Sequence, residues 1–518
     1  MRVSLRAAII VASINVASRG LGVVREAVIA AHFGAGHDAD AFFVAFRIPD
    51  IVFNSLLGYL VATAFIPIFS ETLSESNRTR ASAVASATAN WLVLLLVPLA
   101  AAMAGGARQI IGLVAPGLSG TAASLAVQMT WLMAPIVICG GLTGLARSIL
   151  ISLGRVVAPT SISIVYNVAV IASTVLLSRA LGIGAVAVGV LLAAILQLGL
   201  LLPFVARTGL RYQARLSAGS DILRVGQLAT PAVAALAVGQ VVPLVETYLA
   251  SFLTEGSIAS LGYAGRLFTV PDQLFGLVAS TVLFPVIAAY AGASRVGELR
   301  ATLLRSIRLT IVVTLPLSIL LAVLSPPLLR VTLARGAFDE KAVAVVAPVL
   351  AAYSLGLLPF CLRTLTSYTF FALQKPGTLL KWAIVMMPVN VCMDVILVAQ
   401  LGTVGIAVGS SATACLQAVA LLAVLRGRVD GLRFGGITVP FLKALVASAF
   451  MVGALVLLST RVPSGQQLGQ LGQVIVLAAS VFLAGAVYFI VSIWLRAEEA
   501  ASVWRDLIRR IRPATGSI

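Results

Sequence analysis

Charge is what this sequence has least of. Asp, Glu, Lys and Arg make up 10% of its 518 residues, against 60% hydrophobic residues. The mean hydropathy is +1.07. A water-soluble chain needs far more charge to cover its surface, so a soluble enzyme is excluded. Long polar stretches are absent too, which leaves no room for a separate soluble domain. Cysteine is scarce. Cys139, Cys361, Cys392 and Cys415 each lie in an apolar segment without metal-type spacing, so they read as small buried hydrophobes. There is no Walker loop, no His-Glu-x-x-His and no Gly-x-Ser-x-Gly elbow.

What the sequence does have is apolar runs, recurring from end to end. A spanning helix needs roughly 20 apolar residues to cross a hydrocarbon layer of about 30 Å. Such runs fall at 4–31, 40–69, 83–105, 122–148, 157–179, 183–205, 222–250, 258–290, 302–325, 343–372, 378–400, 403–425, 440–460 and 471–495. The expected fold is therefore an all-α polytopic membrane protein of about 14 spans. The basic start, Met1 to Arg6, is followed by an apolar stretch with no small-residue cleavage site, so it reads as span 1 and not as a signal peptide.

The net charge of +18 does not signal nucleic acid, because the charges sit in short loops between spans. With the N-terminus inside, the loops near 75–82, 149–156, 206–224, 291–308, 373–381 and 426–443 hold 17 of the 36 Lys and Arg residues, and the tail adds Arg496, Arg505, Arg509, Arg510 and Arg512. The outside ends hold only Arg108, Arg179, Arg330, Arg335, Lys341 and Arg461. The positive-inside bias then places both termini in the cytoplasm. The tail at 497–512 spaces Val503, Trp504, Leu507, Ile508 and Ile511 helically among basic residues, which predicts an amphipathic helix on the inner leaflet.

A weak repeat divides the chain. Ile48-Pro49-Asp50 and Ile66-Pro67 in span 2 resemble Val270-Pro271-Asp272 and Phe284-Pro285 in span 8. Repeats of this kind build transporters. The expected domains are an N-lobe of spans 1–6 (1–215), a C-lobe of spans 7–12 (216–433), spans 13–14 (434–496) and a tail (497–518).

Charges inside spans point to function, because a charge at mid-bilayer costs at least about 2.5–3.5 kcal/mol and normally faces a cavity or a partner. Arg19 and Arg25 lie in span 1, Arg47 in span 2 and Arg266 in span 8. Glu26, Asp40, Asp50, Glu246 and Asp272 accompany them. Arginine offers a permanently charged planar fork that matches phosphate oxygens, so the four could line an anionic-ligand cavity. The other reading is that each pairs with a carboxylate and ties helices together. Asn390 and Asp394 are four apart and share a helix face, with Ser410 and Glu246 as polar groups that could meet them. Oxygen ligands with one or two carboxylates suit a hard cation or a proton, and equally a hydrogen-bonded cluster between helices. His32, His37, Asp38 and Asp40 cluster at an outer loop and read as a solvated turn in preference to a metal site.

Two runs carry a family resemblance. They are Ser18-Arg19-Gly20-Leu21-Gly22 with Arg25-Glu26, and Phe33-Gly34-Ala35-Gly36 continuing through Asp40-Ala41-Phe42-Phe43-Val44-Ala45-Phe46-Arg47-Ile48-Pro49. The chain resembles the MurJ (MviN) lipid II flippases of the multidrug/oligosaccharidyl-lipid/polysaccharide exporter superfamily. Tyr263-Ala264 before Arg266 fits the span 8 pattern. Departures occur at Phe53 to Tyr59, at Gly265 and at Thr269, where the family carries further charges.

The resemblance implies a flippase, not an enzyme, working as a monomer in the bacterial inner membrane without a cofactor. Its partner would be an undecaprenyl-pyrophosphate-linked glycan, the peptidoglycan precursor or another polyprenyl-linked glycan. By that likeness Arg19, Arg25 and Arg266 bind the pyrophosphate, and Asp40 and Arg47, near Glu26, shape the cavity. Glu246, Asn390, Asp394, Ile406 and Ser410 fall where some members bind sodium, and spans 13–14 would hold the polyprenyl tail.

Overall fold

A chain in hydrocarbon must satisfy its backbone polar groups internally, and this one does so with helices. The computed structural model describes residues 5–52, 64–74, 77–217, 219–429, 431–432, 434–461 and 469–497. The expected tail helix and the departure at Phe53 to Tyr59 lie outside the described residues.

The helices, in order, are α1 (Leu5–Phe33), α2 (His37–Asp50), α3 (Ile66–Ser74), α4 (Arg78–Gly105), α5 (Ala107–Val114), α6 (Gly120–Met133) and α7 (Ile136–Ser152). Next come α8 (Val157–Leu181), α9 (Gly184–Ala206), α10 (Ser220–Ala250), α11 (Ser257–Val278), α12 (Phe284–Gly292), α13 (Val296–Val323) and α14 (Ser325–Thr332). The last are α15 (Glu340–Leu355), α16 (Leu357–Ala372), α17 (Pro376–Leu401), α18 (Thr403–Arg426), α19 (Thr438–Arg461) and α20 (Gln470–Trp494). A π-helical turn, Ala279–Leu283, joins α11 to α12.

Among the described residues nine helices are long and apolar enough to cross a membrane, or eleven if each of two bent pairs counts as one span. The pairs are α6–α7 and α15–α16, each bent by 41°. These eleven correspond to eleven of the fourteen expected spans. The others are spans 1, 2 and 7, and each of them carries charges: Arg19 and Arg25, Asp40 and Arg47, and Glu246.

The chain forms two compact units. Unit 1 is Met1–Ser260 with Thr332–Ala342, and unit 2 is Leu261–Val331 with Val343–Ile518. In unit 1, Phe65, Phe69, Val84, Leu92, Leu96, Val137 and Ile149 form a core into which α10 sends Val225 and Ala229. That packing puts α10 with unit 1. In unit 2, α13 buries Leu299, Leu303, Ile307, Ile311 and Leu315, a stripe at every fourth residue against Leu358, Leu365 and Leu421. On the same unit α20 is pinned to α13 by the Tyr488 hydroxyl, which donates to Val312 O at 2.7 Å.

Each unit contains an antiparallel helix hairpin closed by a glycine turn. Gly182 ends α8 at φ 53°, ψ −141°, and Gly402 ends α17 at φ 56°, ψ −135°. Such backbone is essentially restricted to glycine. The sequences across the two turns, Leu181-Gly182-Ile183-Gly184-Ala185-Val186-Ala187-Val188-Gly189 and Leu401-Gly402-Thr403-Val404-Gly405-Ile406-Ala407-Val408-Gly409, agree at Leu, Gly, Ala, Val and Gly. This repeat is stronger than the proline pattern, and the conformation of its turns makes it visible.

Candidate functional site

Within unit 1 the polar core is built on α1 and α8. Arg25 donates from Nε to Glu26 Oε1 at 3.0 Å and from Nη1 to Asn167 Oδ1 at 3.0 Å. Its guanidinium lies 5.1 Å from the centre of the Tyr166 ring. Asn167 is buried, and its amide donates to Ser18 O and Ser163 O, each at 3.0 Å. A charge in apolar surroundings is tolerable when it is paired and hydrogen-bonded, and Arg25 is both. Arg19 differs. It is half-buried, and its Nη1 is buried with no acceptor among the described residues. Of the two, Arg19 offers the uncommitted donor and Arg25 the fixed one.

Arg47 on α2 donates from Nε to Thr247 Oγ1 at 3.1 Å, so it ties α2 to α10. Asp40 is buried and accepts from the backbone N–H groups of Gly256 and Ala259 at 2.7 and 2.6 Å. It thus satisfies donors at the start of α11 from another helix, where a carboxylate also favours the helix dipole. The Gly34 and Gly256 turns around it are set by close approach. Gly34 has φ 65° and Gly256 φ 84°, and a Cβ on either would strike the carbonyl of Ala337 or Ala35 respectively. The Phe33-Gly34-Ala35-Gly36 run therefore builds the socket of Asp40.

His37 accepts at Nε2 from Ala122 N at 3.0 Å, while its own backbone N–H donates to Glu255. It links a turn to the start of α6. Among the described residues no three His, Cys, Asp or Glu side chains gather as a metal group.

Within unit 2, α17 buries just two residues among those described, Asn390 and Asp394. Its apolar side chains are exposed or half-buried, with Leu379 and Trp382 packed on the unit 2 core, while Asp394 meets α18 at Gly409. Asn390 Oδ1 is buried and accepts no hydrogen bond among the described residues. The Asp394 carboxylate is fully buried over Gly409, where a Cβ would collide with its Oδ1. Ile406 and Ser410 are buried on α18 beside this contact. The structure therefore gathers Asn390, Asp394, Ile406 and Ser410 in one hairpin. Glu246, half-buried on α10, belongs to unit 1, and Arg266, half-buried on α11, belongs to unit 2.

Several residues of these sites are absent from the sequence reading. Asn167 and Thr247, the partners of Arg25 and Arg47, are uncharged and look like any polar residue in a span. Gly409 was visible only as a small residue. Arg363 on α16 meets the same test as the other arginines, a charge inside a span, and belongs with them. It donates to Gln417 Oε1 at 3.4 Å, lies 4.7 Å from the Phe360 ring centre and feels the charge of Asp272.

A profile described as lipid II flippase MurJ matches residues 29–495. This chain belongs to the MurJ family. The lipid II flippase MurJ of Burkholderia cenocepacia is 30% identical over 502 residues, covering 93% of this chain and 96% of that one. The probable lipid II flippase MurJ of Rhizobium meliloti is 30% identical over 450 residues, covering 85% of this chain and 83% of that one. A solved structure described as lipid II flippase MurJ, inward closed conformation, has a TM-score of 0.80 at 24% identity, covering 96% of this chain and 100% of that one. An inward-facing multidrug resistance MATE transporter of the MOP superfamily reaches 0.67 at 15% identity, over 80% of this chain and 95% of that one. Both structures speak for the fold alone. The MurJ resemblance carried by the Arg19 and Asp40 runs is thus borne out, and the all-helical membrane fold with it.

Proposed function

We propose that this MurJ-family chain carries undecaprenyl-pyrophosphate-linked peptidoglycan precursor, lipid II, from the inner to the outer leaflet by alternating access. The observation that carries this reading is Arg19, a guanidinium inside a spanning helix whose buried Nη1 lacks an acceptor among the described residues. Such a group stays charged and calls for an anion with paired oxygens, which a pyrophosphate supplies. Arg266 on α11 carries the same chemistry within unit 2. Arg25 acts by position: held by Glu26, Asn167 and Tyr166, it fixes α1 against α8. Asp40 and Arg47 hold the starts of α11 and the end of α10 in place. Spans 13–14, here α19 and α20, present an apolar surface suited to a polyprenyl tail. In this reading the protein sits in the inner membrane with both termini cytoplasmic, acts as a monomer and catalyses no covalent step.

Asn390, Asp394, the Ile406 carbonyl and Ser410 form the proposed sodium site. The donor set is all oxygen, and the buried Asn390 Oδ1 has no hydrogen-bond donor among the described residues, which fits a hard cation. A sodium ion bound there would neutralise carboxylate charge in a low-dielectric setting.

The test is outer-leaflet exposure of lipid II in cells depleted of their own flippase and supplied with this protein. Exposure should return, and should be lost with Arg19→Ala and with Arg266→Ala. No exposure despite correct insertion would reassign the substrate to another polyprenyl-linked glycan.

A further inference from the structure

We propose that unit 1 holds one anionic phospholipid, with an acyl chain in a pocket among α4, α7 and α9 and the headgroup phosphate on Arg211. This goes beyond the flippase reading and rests only on the chain spanning a membrane.

The pocket has a volume of about 460 Å³, within the usual range for small-ligand sites. Leu142, Leu145, Ile149, Leu198 and Leu202 supply an apolar lining, and Leu202 at 53% exposure marks its open side. Its polar lining comes from one end: Ser82, Ser86, Arg211 and Tyr212. The two serines are occupied, since Ser82 Oγ accepts from Arg211 N at 3.2 Å and Ser86 Oγ from Gln213 N at 3.0 Å. Charge is therefore left at the mouth alone.

That mouth is fixed by the linker between α9 and α10. Ser82, Ser86 and Asn90 are four residues apart, so they form one polar stripe on α4. The linker lies along this stripe. Asn90 Nδ2 donates to Gln213 O and Arg215 O at 3.2 and 2.8 Å, the Tyr212 hydroxyl donates to Asn90 Oδ1 at 2.7 Å, and Trp91 Nε1 donates to Leu216 O at 3.0 Å. These hydrogen bonds hold the linker along α4, with Arg211 in the lining of the pocket.

The charge around the mouth points to the occupant. Arg155 donates to Phe204 O at 3.4 Å at the end of α9, and Arg78 lies beside Gly209. With Arg207, Arg211 and Arg215 they make five arginines, none with a carboxylate within 4 Å among the described residues. The nearby acids are spent, Asp221 on Arg80 and Glu71 on Arg224. An apolar pocket capped by unneutralised guanidinium groups fits a lipid with a net negative head, and basic pockets between helices are the known form of such sites. A zwitterionic lipid brings its own cation and leaves the arginines unneutralised.

Purified full-length protein would be reconstituted in phosphatidylcholine vesicles containing phosphatidylglycerol with a diazirine in its acyl chain, then photolysed and peptide-mapped. Labels are expected on 142–149 and 198–206. They should fall roughly fivefold in Arg211→Gln, a change at an exposed side chain, as expected for one basic contact to an anionic lipid. Ala89→Phe, which narrows the pocket while keeping the arginines, should also reduce them. Equal labelling by a diazirine phosphatidylcholine, labelling unchanged in Arg211→Gln, or no label in these two segments would each overturn the proposal.

Discussion

The two hairpins, α8–α9 in unit 1 and α17–α18 in unit 2, share a turn and a sequence pattern but bury different chemistry. Opposite Gly189 stand Ser173 and Val170, and the Ser173 hydroxyl donates to Ala185 O at 2.7 Å. Thr174 is likewise spent on Val170 O at 2.7 Å. Opposite Gly409 stands Asp394. In the first hairpin the glycine lets two helices close over a neutral, hydrogen-bonded seam. In the second the same glycine makes room for a carboxylate. The difference separates what the repeat supplies, close packing, from what one substitution adds, a buried carboxyl group.

The packing half of that comparison predicts the largest effect. A Cβ at Gly189 would come within 2.9 Å of Ser173 Cβ and 3.0 Å of Val170 Cα. Gly189→Ala and Gly409→Ala should therefore each destabilise the protein, by up to about 3 kcal/mol for overpacking. Gly453 on α19 has nothing within 4 Å of its Cβ position, so Gly453→Ala should be neutral or stabilising. Thermal denaturation of the three variants in detergent ranks them. Equal melting temperatures for Gly409→Ala and Gly453→Ala would break the packing account.

Next in size is Asn167, on the first hairpin. Asn167→Leu removes the acceptor of Arg25 Nη1 and the ties to Ser18 and Ser163. Losing a hydrogen bond to a charged group costs about 1.5–3 kcal/mol. Melting should fall accordingly, and pairing this variant with Arg25→Ala should give a combined loss smaller than the sum. Simple additivity would show that Asn167 does not act through Arg25.

The charge half of the comparison is sharper but smaller. If the second hairpin binds sodium, wild type should gain about 1.4 kcal/mol when sodium reaches ten times its dissociation constant. Asp394→Thr, which gives this hairpin the residue type found at Thr174, should keep the packing and lose the sodium response. Potassium at matched ionic strength serves as the blank. A sodium gain that survives Asp394→Thr would move the ion elsewhere.

Helices and span order were legible because hydrophobic periodicity is strong in a bilayer protein. The arginines and Asp394 were legible because a charge inside an apolar run stands out. Partners were not: Asn167, Thr247 and Gly409 become meaningful only when a second helix, far along the chain, is placed beside them. Depth alone also could not tell Arg19 from Arg25, although the structure commits one to Glu26 and Asn167 and leaves Nη1 of the other without an acceptor.

The smallest effect concerns the linkers that follow the hairpins. After α9 the chain is tied by Arg80, which donates to Asp221 Oδ2 from Nε and to Oδ1 from Nη2, both at 2.8 Å. After α18 the tie runs from Arg300 Nη1 to a neutral acceptor, Gly431 O, at 3.5 Å. Only the first can titrate. The hydrogen bonds and charge of Arg80 hold the Asp221 carboxyl below the usual carboxylate range, against the opposing pull of partial burial. A carboxylate lowered in the folded state adds stability above its unfolded value, about 3.9, and loses it as pH falls through the lower folded value. Wild type should therefore exceed Asp221→Asn in stability at pH 7, by less than about 1 kcal/mol for a partly exposed pair. The gap should close below about pH 4. Arg300→Gln should differ from wild type by the same amount at both pH values, because a carbonyl carries no proton to gain. A gap at Asp221 that stays constant on acidification would mean that the pair is held by shape and not by charge.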